Sequence, residues 1–588
     1  MKGSYILVVP CCEKGKGGGH LTRCIKLVKE LRACGKEAYL FISTDINIDT
    51  FLQASQFDKS SVISEKTVTQ KNWELIILDR NKTPKDELFR LKTLAPVIGL
   101  DEGGSCRDYF DFLIDILIPE NFEKPAANIT SYGLIDLPTK RKTSQNANNK
   151  KIKILISFGQ EDAAGLGLSA VKKLSKKKFR ETEITLLKGG LNKSKIKIPD
   201  NVKVLDCIPN LADRLCEYDL VITHYGITAY EALYAGTNVL LDHPTPYHKK
   251  IAKTAGFMDL KKINSFINSA ANRHELVPSV HHAEVRTITK EPTLAGLISS
   301  FYPQINRSCP VCGKESNSRS IARFPDRTYR RCSNCGAIYM DRICPPPIEY
   351  EREYFFESYK KQYGKTYLED FPNLAAMAKR RLKVISKLSS RKDTVKTILD
   401  IGCAYGPFLV AAKEEGFTPA GIEPAQDAVR YVQNTFGIPA IQGFFPNCPL
   451  PSPQNIPYDV ISLWYVIEHF TDCLAMLAEI KKILKKGGIL AFSTPSFTGI
   501  SGRKSLRKFL EKSPADHFTI WSPKMCKKAL ALSGFKVKKT VITGYHPERF
   551  PLLGRLAKSK KSPLYWLFLA FSVFFRLGDT FEVYAKLL

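Results

Sequence analysis

Short, almost wholly apolar runs alternate with stretches of helical periodicity three times over along this chain, and that alternation limits the folds open to it. The first series holds "SYILVVP" (4–10), "EAYLFIS" (37–43), "LIILD" (75–79) and "PVIGLD" (96–101). Between the first two lies "LTRCIKLVKELRACG", apolar at helical spacing and stopped by Gly35. A polar, basic stretch, "TKRKTSQNANNKK" (139–151), reads as a linker. A second series follows in "IKILISFG", "EITLLKGG", "VKVLD" and "YDLVITHYG", and a third opens at "VKTILDIGCAYG" (395–406). Apolar runs of strand length separated by helices predict parallel sheets covered on both faces, with ligands at the carboxyl ends of the strands. The expected class is therefore α/β. With 588 residues and about 150 per domain, roughly three to five units are expected.

The charge is unusual. Eighty-eight Lys+Arg stand against 58 Asp+Glu, a formal net charge of +30. That excess favours an anionic partner such as nucleic acid, an acidic membrane surface or a phosphorylated substrate. The lysines are scattered and no arginine patch is interleaved with aromatics, which disfavours nucleic acid. The start, "MKGSYILVVPCC", has no small-residue cleavage site and reads as a buried first strand rather than a signal peptide. Sixteen cysteines without an export signal then imply reduced thiols and a cytoplasmic protein. "PLYWLFLAFSVFF" (563–575) is too short to span a bilayer, which takes about 20 apolar residues. It reads either as a core helix or, with Lys558, Lys560 and Lys561 before it, as a peripheral contact with an anionic membrane at its inner face.

In "ILDIGCAYGPFLVAAKEEG" a strand, a glycine turn and a helix follow one another. Gly402 and Gly406 remove Cβ atoms where a backbone approaches a ligand. The next strand ends in Glu423, placed to accept ribose hydroxyls. Asp400 in front of the turn repels phosphate and suits a cationic ligand, a sulfonium or its ammonium. These residues resemble the class I S-adenosylmethionine-dependent methyltransferases over about 395–588. "YDVISLWYVIEHF", "EIKKILKKGGILAFSTPS" with Gly487–Gly488 at a turn, "HFTIWSPKMCKKALALSGF" and the closing strand "DTFEVYAKL" support the resemblance. It implies that Asp400, Gly402, Gly406 and Glu423 bind S-adenosyl-L-methionine. Gln442 stands where many members place an acid near the adenine. Methyl transfer to oxygen needs a proton acceptor near the hydroxyl, for which His469 and His517 are the candidate catalytic residues; packing beneath the sheet is the other reading of each.

Cys309-Pro-Val-Cys312 and Cys332-Ser-Asn-Cys335, each followed by glycine, have the spacing of a closed, structural four-thiolate Zn²⁺ site on a ribbon hairpin. Cys344 falls outside the spacing. A zinc ribbon ahead of a methyltransferase resembles the zinc-bearing deoxysugar methyltransferases, in which ribbon and following helices frame the acceptor pocket.

Near the start, "GKGGGHLTR" puts His20 at the beginning of a helix, where N–H groups and the helix dipole favour anions. "HYGITAYEALYAG" offers Gly226, Thr228 and Glu231, and "SFGQED" a further strand-end turn. Together these resemble the two-domain GT-B nucleotide-sugar enzymes, above all the UDP-sugar hydrolase of pseudaminic acid biosynthesis and, more distantly, the lipid-linked N-acetylglucosaminyltransferase of peptidoglycan assembly. The resemblance covers about 1–265. Gly17, Gly19, His20 and Arg23 match the hydrolase motif whose histidine helps activate water; Asp79 and Asp101 match its strand-end acids, and Gly226, Thr228 and Glu231 its nucleotide-binding turn. The chain departs from the pattern at Cys11-Cys12-Glu13 and at Tyr247-His248. Hydrolysis, glycosyl transfer and simple binding all stay open.

The expected organisation is thus two GT-B Rossmann-like subdomains (1–140 and 150–270), a connecting segment (271–304), a zinc ribbon (305–345), a helical segment (346–394) and a class I methyltransferase (395–588). The expected function is a bifunctional sugar-modifying enzyme of surface-glycan biosynthesis, with a UDP-linked sugar and a glycan or sugar acceptor as partners. The alternatives are a methyltransferase with a non-catalytic N-terminal binding module, or an RNA methyltransferase.

Overall fold

The computed structural model describes residues 5–11, 18–42, 52, 56–120, 122–135, 137–142, 151–159, 162, 164–174, 182–188, 198–199, 202–206, 208–271, 292–315, 317–344, 354–389, 396–451, 457–551, 554–557 and 559–588. Gly17, Cys12, Glu13, Lys558 and part of "SFGQED" lie outside the described residues. The chain divides into two compact units, Met1–Ile305 with Arg323–Arg327, and Asn306–Ala322 with Thr328–Leu588.

The first unit holds two all-parallel sheets. The seven-stranded one runs, in spatial order, Val62–Ile63, Glu37–Phe41, Tyr5–Pro10, Trp73–Asp79, Val97–Leu100, Phe112–Asp115 and Ile129–Thr130. Its central strands are buried along nearly their whole length, so alternation is absent, and the charged Asp79 comes only at a strand end. The six-stranded one runs Val202–Leu205, Thr182–Leu187, Ile152–Ile156, Leu220–Thr223, Asn238–Leu241 and Met258–Asp259. In each, chain order reverses beside the first strand, which leaves a crevice at the carboxyl ends. The expected linker is partly docked. Thr139 bonds Asp213, and the Lys142 ammonium lies 2.6 Å from Asp219, so this start of the basic stretch is fixed by charge. Residues 143–150 lie outside the described residues.

The second unit is built on a seven-stranded sheet. Its order is Ala440–Gln442, Thr418–Glu423, Thr397–Ile401, Tyr458–Trp464, Leu484–Pro495, Thr580–Leu587 and Phe535–Thr543. The last strand of the chain inserts antiparallel between two earlier ones. Gly487–Gly488 does not make a turn. Both glycines lie inside the Leu484–Pro495 strand where its register shifts, and Gly487 takes a left-handed φ of +72° there. The cysteine-bearing hairpin joins the same unit: Ile338 pairs with Ile520, and Cys309, Cys332 and Cys335 sit in one buried cluster with Leu463, Phe492 and Trp521.

The apolar helix Pro563–Phe574 is not a core helix. Leu567 and Phe574 are 60% and 80% exposed, and Ser572 is the buried residue in it. No helix among the described residues is long and apolar enough to cross a membrane.

Candidate functional site

The central strand Thr397–Ile401 carries Asp400 near its carboxyl end, and the parallel neighbour Thr418–Glu423 ends in Glu423. Between them the chain turns through Gly402 (φ +75°) and Gly406 (φ +81°), which caps the helix Pro407–Glu414. A left-handed φ is one reason for glycine at both places. The other differs from the sequence expectation: a Cβ on Gly402 would come within 2.5 Å of a Val466 methyl, and one on Gly406 within 2.8 Å of Val432. Protein packing, as well as room for a ligand, excludes side chains here.

The Glu423 carboxylate accepts backbone N–H bonds from Ala404 at 2.9 Å and Ala425 at 3.1 Å. Asp400 accepts the Ser462 hydroxyl at 2.6 Å. Burial pushes Asp400 up to about 8 and Glu423 up to about 7, against those hydrogen bonds. Both acids line one cavity of about 800 Å³, together with Gly402, Tyr367, Trp464 and His469. A buried acid pair at a strand-end crevice fits a ligand bearing positive charge and hydroxyl donors, and so fits S-adenosylmethionine. Gln442 is exposed and donates to the Pro424 carbonyl; Phe444, two residues on, lines the cavity instead. The helix Tyr367–Leu388 supplies Tyr367 and Arg381 to the wall. The Arg381 guanidinium stacks 4.0 Å from the Trp464 ring centre and bonds Glu582 at 2.7 Å. A helical segment was expected here, and the resemblance to the zinc-bearing deoxysugar methyltransferases implied that helices after the ribbon frame the acceptor pocket; the particular side chains, Tyr367 and Arg381, were not named from the sequence.

His469 and His517 are brought together, their rings at right angles with centres 4.8 Å apart. Only His469 of the two lines the cavity, and its Nδ1 lies 2.8 Å from an Asp516 carboxylate oxygen. Burial opposes a proton on His469, but Asp516 and the neighbouring Glu468 outweigh it and hold its pKa above the ordinary imidazole value. Burial and the nearby His469 charge push His517 down to about 3. Sequence reasoning missed Glu468, which is 1% exposed. An acid beside a histidine on a short turn carries no periodic signal.

The four cysteines converge. Cys309 and Cys335 sulfurs are 3.7 Å apart, as are those of Cys312 and Cys332, and all four lie within 4.8 Å of one another with no disulfide. A tetrahedral ion with bonds of about 2.3 Å separates its ligands by about 3.8 Å. Two left-handed glycines close the turns, Gly313 N–H onto the Cys309 carbonyl and Gly336 N–H onto that of Cys332. The donor set fits Zn²⁺.

In the first unit, His20 opens the helix Gly19–Ala33, and its Nδ1 lies 2.7 Å from Asp79 at the end of its strand. Arg23, one turn on, grips both acids: Nε donates to Asp79 and Nη1 to Asp101, each at 2.7 Å, and Nη2 donates to Asp79. Burial opposes ionisation of Asp79, but Arg23 and His20 hold its carboxyl well below the usual range. Asp101, at a left-handed φ of +51°, accepts N–H bonds from Ile116 and Leu117, both at 2.7 Å. The Leu117 carbonyl in turn accepts the hydroxyl of Tyr225. Tyr225 precedes Gly226, the residue before the helix Ile227–Tyr234 that bears Thr228 and Glu231. A continuous hydrogen-bonded path therefore runs from His20 to the Gly226 turn. Gly226 is extended (φ 168°), and a Cβ there would stand 3.4 Å from the His224 ring. Gly19 is exposed, with open space where its side chain would be. Tyr247 and His248, the departures from the expected motif, pack at right angles on the helix Pro246–Thr254, and Tyr247 also meets Phe122.

Comparison with known proteins places one part of the chain. A family model described as a methyltransferase domain matches residues 374–540. An uncharacterized protein of Methanocaldococcus jannaschii is 24% identical over 282 residues, 40% of this chain and 57% of that protein. The chain thus spans little more than half of that relative's length. Ubiquinone biosynthesis O-methyltransferase of Aliivibrio fischeri is 24% identical over 162 residues, 26% of this chain and 68% of that one. Among solved structures, a SAM-dependent methyltransferase from Archaeoglobus fulgidus has 17% identity, covering 40% of this chain and 99% of its own, with a TM-score of 0.29. Magnesium protoporphyrin IX methyltransferase from Synechocystis has 14% identity, 40% and 98% coverage and a TM-score of 0.27. With the matched model lying over the strand-end acids Asp400 and Glu423, residues 374–540 are a class I SAM-dependent methyltransferase domain.

Proposed function

We propose that this protein transfers a methyl group from S-adenosylmethionine to a hydroxyl of a sugar or glycan, and that its first unit binds a nucleotide-linked, UDP-type sugar. The observation that carries the first half is the buried pair Asp400 and Glu423 in one cavity with His469. When bound, S-adenosylmethionine supplies a methyl group on a sulfonium, an electrophile that needs no further activation. Glu423 holds ribose hydroxyls, Asp400 favours the positive end, and the Asp516-held His469 stands at the acceptor side to take up the hydroxyl proton. Support for the second half is the His20–Asp79–Arg23–Asp101 network, joined by hydrogen bonds to the Gly226 turn. On this reading His20 is the residue that would act at an anomeric carbon, and hydrolysis, transfer and binding are the three forms of that half. The sugar acceptor rests on the presence of both halves in one chain.

Titration calorimetry with S-adenosylmethionine and with UDP should give two independent sites. Loss of the first on Glu423→Ala, by at least about 100-fold in affinity, is expected, since two or more charge-assisted hydrogen bonds at about 1.5–3 kcal/mol each are removed. Unchanged affinity would refute the cofactor assignment, and absence of UDP binding would refute the nucleotide-sugar half. His20→Ala leaves UDP binding but removes turnover if that half is catalytic. The cofactor site also has a pH signature. Asp400 and Glu423 are raised, to about 8 and about 7, so they hold protons in the free protein near neutrality. A cationic, hydroxyl-donating ligand prefers the carboxylates, so its binding releases protons. Affinity should rise from pH 6 to pH 8.5 and then level off; a flat profile would contradict the role of the pair.

The exposed helix supports a peripheral membrane contact. Trp566, Leu567, Phe571 and Phe574 are solvent-facing, and Lys560 and Lys561 precede them. An apolar face led by lysines suits an anionic bilayer surface. Co-sedimentation with vesicles containing phosphatidylglycerol, but not with pure phosphatidylcholine, is expected and should vanish in Trp566→Glu/Phe574→Glu. Equal retention of that variant would dismiss the contact.

A further inference from the structure

We propose that Glu468, His469 and His517 hold a divalent transition-metal ion at the acceptor side of the methyltransferase cavity. The inference deepens the methyl-transfer reading above and rests on it. One ligand atom from each of the three residues lies within 4.8 Å of the other two, close enough to share one ion. The Glu468 side chain is 1% exposed; neither carboxylate oxygen makes a hydrogen bond of proper geometry among the described residues, and the Thr494 hydroxyl near it is likewise left unpaired. The Nδ1 of His517 is also buried without a hydrogen-bond partner among them. A buried carboxylate left without partners is costly, and one cation between the three groups satisfies both orphans together.

His469 adds an independent observation. Its Nδ1 lies 2.8 Å from Asp516. A carboxylate behind a histidine fixes its tautomer and raises its basicity, the arrangement found behind metal-bound imidazoles. Two imidazoles and one carboxylate select zinc or another first-row transition ion rather than magnesium or calcium. Three protein ligands leave a coordination position open, as catalytic sites do and closed structural sites do not. His469 also lines the cavity, so the ion borders the acceptor space. A hydroxyl in the open position is acidified in the way metal-bound water is. On this reading His469 acts through the ion instead of taking the proton itself, and the hydroxyl proton passes to solvent as the oxygen–methyl bond forms and the sulfur–methyl bond breaks.

The test uses the full chain, stripped with a chelator, reloaded with Zn²⁺ or Co²⁺ and washed. Elemental analysis should find two ions per wild-type chain, one on the cysteines and one that disappears in Glu468→Gln and in His517→Ala but persists in Cys309→Ser. Cobalt on this site shows visible ligand-field bands without the near-ultraviolet thiolate band that cobalt on the cysteines gives. Calorimetric binding of S-adenosylmethionine by the two variants serves as the folding control. Cofactor binding with no such ion in the wild-type chain overturns this inference and leaves the methyltransferase reading standing. An ion equally retained in both variants also overturns it. Failure of the wild-type chain to bind the cofactor overturns the reading beneath it, and this inference with it.

Discussion

Cys309→Ser is expected to remove one zinc ion per chain and to destabilise the whole methyltransferase unit, not only the hairpin that carries it. Structural zinc sites bind with apparent free energies of about 10–16 kcal/mol, much of which appears as folding energy. Here three of the four sulfurs belong to the same buried cluster as Leu463, Phe492 and Trp521. The Pro310 carbonyl accepts an N–H bond from Leu474, and the Asn334 carbonyl accepts the Lys528 ammonium, so the cysteine turns are tied to helices of the methyltransferase domain. Without the ion, the remaining thiols of Cys312, Cys332 and Cys335, two of them buried, face one another with nothing to hold them, and the loss reaches Trp521 and the sheet. Elemental analysis and a thermal melt followed by tryptophan fluorescence check this. A metal-free protein that melts as the wild type does would refute both the site and its structural role.

The second large effect is expected at Arg23→Ala. Asp79 is fully buried and Asp101 is 3% exposed, and the guanidinium lies between them. Breaking a buried pair by removing one partner costs about 3–5 kcal/mol, because the other charge is left uncompensated. Two acids lose the same partner here, so the upper end is expected in urea denaturation at pH 7. The sign with pH follows from Asp79. In the wild type its carboxyl is held below the usual range, so its stabilising contribution is present above the unfolded value and fades only as pH falls toward the folded one. In the variant Arg23 no longer holds the Asp79 carboxyl down, and it takes up a proton on milder acidification, which relieves part of the cost. The gap between the two proteins should therefore narrow from pH 7 to pH 4. A cost below about 1 kcal/mol at pH 7, or a gap that widens, would show that Arg23 does not neutralise the pair.

Much of the methyltransferase domain was legible in the sequence. A strand ending in Asp400, a glycine turn and a strand ending in Glu423 are local features, and the parallel sheet places their ends side by side as the spacing implies. The two cysteine pairs were equally legible, since each turn needs only a few residues and a following glycine. Less could be read where side chains from distant segments meet. Asp516 behind His469 and Arg381 over Trp464 are separated in sequence by 47 and 83 positions, and no periodicity announces either contact. The helix Pro563–Phe574 shows the opposite failure: composition alone recommends burial, yet its aromatic face remains in solvent.

What the sequence by itself determined is the set of strands and helices, the turns that need glycine, and the residue types gathered at the strand ends. Apolar period, turn stereochemistry and metal-ligand spacing are all properties of a few consecutive residues. Only the tertiary structure decided that Arg23 lies between two buried acids, that the cysteine turns share the core of the second unit, and that Glu468 lies beside His517. Such placements depend on which strands become neighbours and on how buried charges find partners, and both are settled by the packing of the whole chain.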